Sequence, residues 1–476
     1  MTLSFIKSFV TAYTETFGDV SALKPEWWAL EGLAVLEETL IVTNLVNRDY
    51  DSFFVNAGDT VHVHKPGSFV PKHKTKGASV TKQDAVATGD TVKLNQHIEV
   101  TFNIDDRDLQ ASLPDLRSYF LVPAARAIAE GFDRAIVGEC PGFAVRQAAG
   151  VLGGGLTDND LINLGRIFDD NLVPNMGRNL VVGPAAKAYL LDIERFTDVN
   201  RTGGAGGSVI TGEIGEIMGF NVFMSQTVGK NLVNRTGMSL TDRALNGAHS
   251  AGSQTLTVDA GTAIVAGSYI TIADTDGVYV ATAACADVGT SISIYPGLME
   301  AGVNAKAVYQ WAGSGVVKGA HAAGLINIVT DGWATAAVIP QVGQFIGFNT
   351  GGASSVLAPT VYTVAEVSGT YADNTTEITL TLNRPLDSAL TNDWVIYLGP
   401  AGGSYNMAFR SDAITLVNRP LAPAMAGVAA TVQNNGQYAL RVTIGYDQDV
   451  MMHKITLDTL LGVKTLDFDQ GAALLC

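Results

Sequence analysis

The sequence predicts an α+β fold that carries an inserted all-β region. Residues 27–40 and 111–139 have apolar side chains at helical spacing, and alternating patterns within residues 58–104 indicate strands. Short β patterns replace helical periodicity between about residues 241 and 400, and mixed patterns return afterwards. We predict six segments: 1–57, an N-terminal arm and helix; 58–104, an extended β-hairpin arm; 105–141, a long helix; 142–240, the first part of an α+β domain; 241–400, an inserted β domain; and 401–476, the second part of the α+β domain.

The first predicted helix lies in the stretch EWWALEGLAVLEETL. Pro25 precedes it, and proline is common at the start of a helix because its missing N–H group is not needed there. Apolar residues recur near helical spacing at Trp27, Leu30, Leu33, Ala34, Leu36 and Leu40. The pattern predicts an amphipathic helix that packs against the rest of the protein.

A basic segment lies between two predicted strands. Polar and apolar residues alternate in AGDTVHVHKP and again in VKLNQHIEVTFNI, which is typical of strands. Residues 62–82, which begin in the first strand, contain three histidines, five lysines and no acidic residue. We predict that residues 58–104 form a long two-stranded arm. The candidate contact residues of its tip are Lys65, Lys72, Lys74, Lys76 and Lys82.

A long helix is predicted from about Ala111 to Glu139. At 1.5 Å per residue it would span about 43 Å, with a kink near Pro123. Its apolar positions at helical spacing are Leu116, Phe120, Leu121, Ala124, Ile128, Phe132 and Ile136.

Helix and strand patterns alternate between residues 155 and 228. A helix begins at Thr157 or Asp158, which are both good N-cap residues. NLVVGP is predicted to be a buried strand, AAKAYLLDIERF a helix and GFNVFMS another strand, with RTGGAGG (201–207) as a flexible loop between them.

A related β pattern occurs twice in the predicted insertion, at residues 266–298 and 342–386. Each copy has a glycine, a short strand, a strand centred on tyrosine, a polar turn and an alternating strand that ends near a proline and a leucine. Because one such sheet could not bury its face alone, we predict a small barrel or a sandwich pair.

Composition and charge narrow the classes of function. Only 16% of the residues are charged, which is typical of a protein whose surface is covered by neighbours. The net charge is -16, and the remainder of the chain without the basic segment is more negative still. Such a body repels DNA phosphates at long range, so the basic segment most simply pairs with acidic residues on another copy of the chain.

The cysteines and apolar runs suggest a cytoplasmic, soluble protein. Cys140, Cys285 and Cys476 are far apart and odd in number, so neither a disulfide framework nor a CxxC motif is expected. The apolar run at the N-terminus is interrupted by polar residues, and no later run is long enough to cross a membrane.

A metal site and a nucleic-acid site are two alternatives for the basic segment. His62 and His64 share one strand face, with His73 and His97 as further candidate ligands, but no cysteine lies near and Asp59 is the one obvious acid nearby. Five lysines could bind phosphates, but a single aromatic residue is interleaved with them and the body is acidic. We expect neither site.

Catalytic motifs are not found in the sequence. The glycine-rich loops lack the order of a phosphate-binding loop, and no GxSxG or HExxH occurs. The paired acids Asp105/Asp106 and Asp169/Asp170 lie at predicted helix ends, where we expect capping and helix-dipole effects to account for them. The sequence predicts no enzyme activity and no cofactor.

Three passages resemble the major capsid proteins of tailed bacteriophages. LGRIFDDNLVPNMGRNLVVGPAAKAYLL is similar to a family segment of helix, turn and buried strand, at Pro174, Arg178, Val181, Val182 and Pro184. TGEIGEIMGFNVFMS is similar to a glycine-flanked hairpin, at Gly212, Ile214, Gly219, Phe220 and Val222. NMAFRSDAITLVNRPLAP, with LRVTIGYDQD and LLGVKTLD, resembles the C-terminal part of the family.

The remaining segments also resemble elements of this family, in the same order along the chain. The basic arm resembles the extended loop of the Hong Kong ninety-seven capsid fold, and residues 111–139 resemble its long spine helix. The insertion resembles the extra domain of certain short-tailed phage coat proteins, in NGAHSAGSQTLTV, GVYV and SISIYPGL, whereas its second β unit departs from that single-copy pattern.

The resemblance implies a structural coat protein whose copies form hexamers and pentamers of an icosahedral shell around double-stranded DNA. The implied partners are other copies of the chain, a scaffolding protein, a portal, a decoration protein and non-specifically contacted DNA, with no membrane. The implied location is the virion capsid, assembled in the cytoplasm of a bacterial host. The lysine tip would lie across an adjacent subunit and meet its acidic residues.

Three other classes of protein are alternatives to a phage coat protein. A cellular nanocompartment shell would share the fold but would need a cargo enzyme. A phage tail or surface-adhesion protein would explain the glycine-rich β units as binding modules, but it would not explain the arm and the long helix. A histidine-based metal hydrolase would require bound metal in the purified protein.

Overall fold

The computed structural model describes residues 25–49, 60–65, 71, 73–74, 76, 88–105, 120–140, 143–147, 156–193, 215–228, 230–231, 238–264, 266, 268–273, 277–295, 297–298, 301–302, 304–311, 313–349, 362–386, 388–398, 403–422, 429–434, 438–447 and 451–475. The predicted loop 201–207, residues 106–119 of the predicted long helix, and Cys476 lie outside these residues.

Four α-helices and a larger number of strands make up the described part of the chain. The helices are α1 (Pro25–Thr39), α2 (Val122–Val137), α3 (Asp158–Asp170) and α4 (Pro184–Asp192). The strands before residue 238 are β1 (Thr60–Lys65), β2 (Thr88–Lys93), β3 (Gln96–Asp105), β4 (Ala144–Gln147), β5 (Arg178–Val182), β6 (Glu216–Ile217), β7 (Phe220–Met224) and β8 (Lys230–Asn231). No helix among the described residues is both long enough and apolar enough to cross a membrane.

The remaining strands fall into two sets. Those of residues 238–398 are β9 (Met238–Ala244), β10 (Thr255–Thr257), β11 (Tyr269–Ile272), β12 (Gly277–Ala281), β13 (Ser291–Tyr295), β14 (Ala307–Trp311), β15 (Gly313–Val317), β16 (Asn327–Asp331), β17 (Phe345–Asn349), β18 (Tyr362–Ser368), β19 (Ile378–Leu382) and β20 (Val395–Leu398). The last set is β21 (Gly403–Arg410), β22 (Ile414–Arg419), β23 (Ala429–Asn434), β24 (Ala439–Asp447), β25 (Met452–Thr465) and β26 (Gly471–Leu475).

The chain forms two compact units, each built from separate stretches. The first unit comprises Met1–Thr39, His97–Ala129 and Asn418–Leu460. The second comprises Leu40–Gln96, Glu130–Val417 and Leu461–Cys476.

The first unit is a helix packed on an antiparallel sheet. Strands β23, β24 and β25 follow one another in the sheet, and β3 also pairs with β25. Helix α1 begins at the predicted Pro25 and buries Leu33 and Leu36, whereas Leu30 stays 56% exposed. A Cβ atom at Gly32 would lie 3.0 Å from a methyl carbon of Leu440, so this glycine lets the helix approach the sheet closely.

The second unit contains a sheet of thirteen described strands. Its main path runs β6-β7-β5-β21-β26-β4-β12-β11-β14-β9, with β8, β10 and β13 joined at its sides. The pairs β5–β7 and β26–β4 are parallel, whereas β5–β21, β21–β26 and β4–β12 are antiparallel. The predicted buried strand is confirmed, because all five residues of β5 are buried.

Helices α3 and α4 pack on this sheet. Leu164 and Phe168 of α3 and Leu190 of α4 share a core with residues of β5. Thr157, one of the two predicted N-cap residues, precedes α3, and its backbone N–H and its hydroxyl both donate to Oδ2 of Asp160, at 2.9 and 2.7 Å. This contact fixes the start of the helix.

Residues 238–398 form two six-stranded rings with the same strand order. The second ring is a closed barrel in the order β15-β16-β19-β18-β17-β20. In the first ring, β9, β14, β11, β12, β13 and β10 are joined in the equivalent order, and the bridge between Leu245 and Val258 closes it. The structural repeat is therefore larger than the predicted copies 266–298 and 342–386.

The two rings also share a hydrogen-bonded turn. The sequences GAHSAG (247–252) and GAHAAG (319–324) occupy equivalent places. The N–H of Gly247 donates to Oδ1 of Asn304, and that of Gly319 donates to Oδ1 of Asn392, both at 2.7 Å. Each turn also has a histidine Nε2 that accepts from a backbone N–H eight residues later.

The rings differ in what fills one equivalent interior position. Leu245 pairs with Val258 in the first ring and Val317 pairs with Thr330 in the second. Counted from these pairs, Arg243 corresponds to Gly315, and Gly261 corresponds to Trp333. The buried Arg243 donates to six carbonyl oxygens at 2.6–3.3 Å, those of Asp259, Gly261, Thr262, Ala286, Asp287 and Gly289.

Trp333 takes the place of this arginine network in the second ring. It is fully buried, and its Nε1–H donates to Oγ1 of Thr330 at 3.1 Å. A Cβ atom at Gly315 would lie 2.7 Å from the indole ring, so Trp333 packs closely against Gly315. The first ring has the opposite arrangement, with Arg243 at the position of Gly315 and Gly261 at the position of Trp333.

The α-helix Val122–Val137 follows two π-helical residues, 120 and 121, and residues 106–119 lie outside the described part of the chain, so the predicted kink near Pro123 stays a prediction. One predicted strand differs from the structure. The stretch predicted as one strand from Val92 to Ile104 divides into β2 and β3, and β2 pairs with β1 whereas β3 pairs with β25. The alternation of buried residues continues across the break, so the pattern did not indicate it.

A buried carboxyl group joins α2 to the chain near residue 43. Oδ1 of Asp133 accepts from the backbone N–H of Thr43 at 3.0 Å and from its hydroxyl at 2.7 Å, and Oδ2 accepts from the N–H of Ile41 at 3.4 Å. Burial raises the pKa of Asp133, although these hydrogen bonds oppose the rise.

Replacing Gly315 with alanine should destabilise the second barrel more than replacing Gly319. Both glycines have φ of +79°, where alanine loses about 1 kcal/mol or more, but a Cβ meets the Trp333 ring at position 315 and nothing within 4 Å at position 319. Overpacking adds about 1–3 kcal/mol at position 315. Urea denaturation of both variants measures the difference, and equal losses would contradict the steric explanation.

The variant Asp133→Asn should gain stability relative to the parent protein as pH rises above about 4. Because the folded pKa is raised, the contribution of the neutral carboxyl group is complete below the unfolded pKa of about 3.9 and is lost as pH passes the folded pKa. Asp373→Asn is the control of opposite sign, since hydrogen bonds from Thr375 and Thr376 lower the pKa of Asp373. Denaturation between pH 4 and 8 tests Asp133→Asn, and denaturation below about pH 4 tests the control, because the contribution of a carboxyl group with a lowered pKa is lost only as pH falls below its unfolded pKa. A pH-independent difference for Asp133→Asn would disprove the assignment.

Candidate assembly surface

The basic arm is anchored by a six-residue antiparallel ladder. Strand β1 pairs with β2 from Thr60 opposite Lys93 to Lys65 opposite Thr88. Val63 and Val92 are buried, so the base of the hairpin has an apolar side that holds it in the second unit. A Cβ atom at Gly462 would overlap the carbonyl oxygen of Lys93, so only glycine allows β25 to pass so close to the end of β2.

The structure describes part of the predicted lysine tip. His73, Lys74 and Lys76 are exposed. Lys65 is the last residue of β1. Lys72 and Lys82 lie outside the described residues. The described tip is thus a basic surface open to solvent.

The candidate metal ligands occupy different settings. His62 lies opposite Thr91 and His64 opposite Gly89 in the β1–β2 ladder. His97 belongs to β3, where its Nε2 lies 3.0 Å from Oδ2 of Asp458. Among the described residues, no group of three or more His, Cys, Asp or Glu side chains is placed to hold a metal ion.

Asp458 is the centre of a charged network in the first unit. Its side chain is 3% exposed and accepts from Nε of Arg441 at 2.9 Å, with a second contact from Nη2 of the same guanidinium. The contact with Asp458 raises the pKa of Arg441. His97 is 47% exposed, so it adds a more solvent-exposed contact to the Asp458 carboxylate, whose main partner is Arg441.

A second buried ion pair lies beyond the end of α2. Nη1 of Arg384 donates to Oε1 of Glu139 at 2.7 Å, and Oε2 of Glu139 accepts from the hydroxyl of Thr465 at 3.2 Å. The neighbouring Cys140 is buried, and burial raises the pKa of its thiol to about 12. Cys140 is therefore a packed side chain and not an activated nucleophile.

The expected helix-dipole effect does not explain the two acidic residues at the end of α3. Asp169 and Asp170 lie at the C-terminal end of the helix, where the dipole disfavours negative charge. Nη2 of Arg178 pairs with Oδ1 of Asp169 at 2.7 Å, while the side chain of Asp170 is 73% exposed. The turn that follows exposes Leu172 and Met176, and no sequence pattern pointed to a function for either residue.

A further acidic group adjoins this turn. Nδ2 of Asn171 donates to the carbonyl oxygen of Asp469 at 3.0 Å. The hydroxyl of Tyr295 donates to Oδ1 of Asp469 at 2.9 Å, and burial together with this carboxylate raises the pKa of Tyr295. The exposed acids and apolar side chains come from segments about 300 residues apart, so no local sequence signal could have joined them.

Several solved structures are similar to the chain over most of its length. A chain of Mycobacterium phage Che8 is 12% identical, over 91% of this chain and 90% of that chain, with a TM-score of 0.43. A chain of the capsid of the Cyanophage P-SCSP1u is 11% identical, over 97% and 92%, with a TM-score of 0.41. A chain of the capsid of the native GTA particle is 8% identical, over 93% and 89%, with a TM-score of 0.40.

No family model and no curated protein sequence matches the chain.

Removing Arg441 should destabilise the protein far more than removing His97. Arg441→Met leaves the buried carboxylate of Asp458 without its main partner, a loss of about 3 kcal/mol or more. His97→Gln removes a largely exposed contact worth less than about 1 kcal/mol. Urea denaturation of the two variants decides the matter, and similar small losses for both would show that Asp458 does not depend on Arg441.

Proposed function

We propose that the chain is the major coat protein of a tailed phage and that its copies assemble into an icosahedral shell around double-stranded DNA. The role is structural, without catalysis or a cofactor. The observation that carries the proposal is that the first two capsid-like passages and the start of the third lie side by side in one sheet.

Those passages are distant in sequence and adjacent in the fold. The first passage forms α3, β5 and α4, the second forms the hairpin β6–β7, and the third begins with β21. The order β6-β7-β5-β21 makes them neighbours, with Val181 opposite Phe223 on one side and Met407 on the other. The first two passages and the start of the third thus share one sheet, and the rest of the third passage forms β22, β24 and β25 of the five-stranded sheet.

The hairpin β1–β2 supports a role in contacts between subunits. It carries exposed lysines on a chain whose net charge is -16. A basic projection on an acidic body is attracted to another copy of the same body, and this attraction is repeated at every subunit of a closed shell. Individually weak pairs can therefore stabilise a large assembly.

The family elements are assigned in the same proposal. The hairpin corresponds to the extended loop, α2 to the described part of the spine helix, and the two rings of residues 238–398 to the inserted domain. Lys65, Lys72, Lys74, Lys76 and Lys82 contact an adjacent subunit. A scaffolding protein, a portal, a decoration protein and non-specifically bound DNA are the proposed partners, and the bacterial cytoplasm is the proposed place of assembly.

Electron microscopy and sedimentation of the full chain test the proposal. The protein is expressed alone and then with candidate scaffolding proteins from the same genome. Closed or aberrant shells tens of nanometres across are the expected result. Monomers or trimers under every condition would reject it in favour of a tail or adhesion protein.

The double variant Lys74→Glu/Lys76→Glu should not form closed shells. Reversing both charges places negative groups against an acidic neighbour, so attraction becomes repulsion. Lys93→Glu/Lys454→Glu is the matched control, because it makes the same change in net charge at exposed lysines outside the tip. Sedimentation measures the fraction in shells. Normal assembly of the tip variant, or equal failure of both variants, would remove the tip from the proposal.

A further inference from the structure

Two large apolar side chains stand in solvent on the turn after α3. Leu172 is 90% exposed and Met176 is 86% exposed. Phe468, which is 39% exposed, lies beside Asp469, whose carbonyl oxygen accepts the hydrogen bond that joins the two turns. Asp170, Leu172, Met176, Phe468 and Asp469 are together called the turn patch.

The turn patch is held in shape without a partner. Arg178, which is buried, donates from Nε to the carbonyl oxygen of Pro174 at 3.1 Å and from Nη2 to Asp169. Its guanidinium carbon also lies 5.3 Å from the centre of the Phe168 ring. A surface that is already ordered loses little conformational entropy on binding.

Leu172 is exposed at a cost in backbone energy. Its φ of +57° lies in the left-handed region that side chains other than glycine and asparagine rarely adopt. A large apolar residue in that conformation contributes nothing to the core while it points to solvent. Local rules are broken most often at functional sites, so the turn is a candidate contact.

The turn patch also carries exposed negative charge. Helix α3 has no basic residue in its last turn, and its C-terminal end adds a partial negative charge to that of Asp170. Nε of Arg166 lies 3.9 Å from Asp170, and both side chains are largely exposed. Asp469 adds a second exposed carboxylate. Such a surface repels DNA phosphates and anionic lipids, and it attracts a basic protein segment.

We infer that the turn patch of one subunit binds the lysine tip of a second copy of the chain. The inference rests on the proposed function and names the surface that the tip contacts. The long apolar stems of Lys74 and Lys76 cover Leu172 and Met176, while their ammonium groups reach the carboxylates. Within one chain, no ion pair among the described residues joins these two lysines to Asp170 or Asp469.

The variant Leu172→Gly separates a role in assembly from a role in folding. Glycine adopts the positive φ without strain, so the unassembled subunit should keep or gain thermal stability. Shell assembly, followed by light scattering with the scaffolding partner, should require about tenfold more protein, because an apolar contact is lost at every subunit. Met451→Gly is the matched control, since Met451 has φ of +53° and is 65% exposed outside the turn patch.

A charge exchange tests the pairing itself. Asp170→Lys/Asp469→Lys and Lys74→Glu/Lys76→Glu should each suppress assembly, and the chain that carries all four changes should recover shells. Thermal unfolding of each unassembled subunit shows that the variants fold. Recovery supports the inference, and suppression without recovery overturns it.

The outcomes distinguish the inference from the function on which it rests. If the parent chain forms no shells under any condition, the proposed function fails and the inference fails with it. If shells form and depend on the lysine tip, while Leu172→Gly assembles like the parent or like Met451→Gly, the tip binds elsewhere and only the inference fails.

Discussion

The continuity of the large sheet in the second unit depends on the four-residue strand β4. It pairs in parallel with β26 and antiparallel with β12, and so joins the strands beside α3 and α4 to the first ring of residues 238–311. Buried backbone N–H and C=O groups must be paired, so a gap at β4 would leave both neighbouring edges open. A Cβ atom at Gly471 would overlap the ring of Phe143, which shows how closely β26 passes the residue before β4.

The two rings show how one strand order accommodates different interior chemistry. In the first ring a guanidinium satisfies carbonyl oxygens that water would otherwise have to reach. In the second ring an indole fills the equivalent space with apolar contacts and a single hydrogen bond. The compensating glycines, Gly261 and Gly315, keep the interior at close-packed density in both. The shared turns and the exchanged interior residues together describe two versions of one module.

A shell would use these features in different ways. The ladders and buried ion pairs stabilise the fold within each unit, whereas the arm tip and the turn patch place charge and apolar surface at solvent-exposed positions. In the proposed shell, both surfaces would contact a neighbouring subunit. Their separation from the core means that assembly contacts can be weak individually and still add up over many identical subunits.

The sequence by itself located several local elements and the basic segment of residues 62–82. Pro25 and helical spacing located α1, Thr157 marked the start of α3, and apolar patterns located strands such as β5 and β7, because these signals lie within a few residues of one another. Only the tertiary structure decided which strands pair. The unbroken alternation from Val92 to Ile104 reports which side chains are buried and not which neighbour supplies the hydrogen bonds, and the exposure of Leu172 depends on distant segments that leave the turn uncovered.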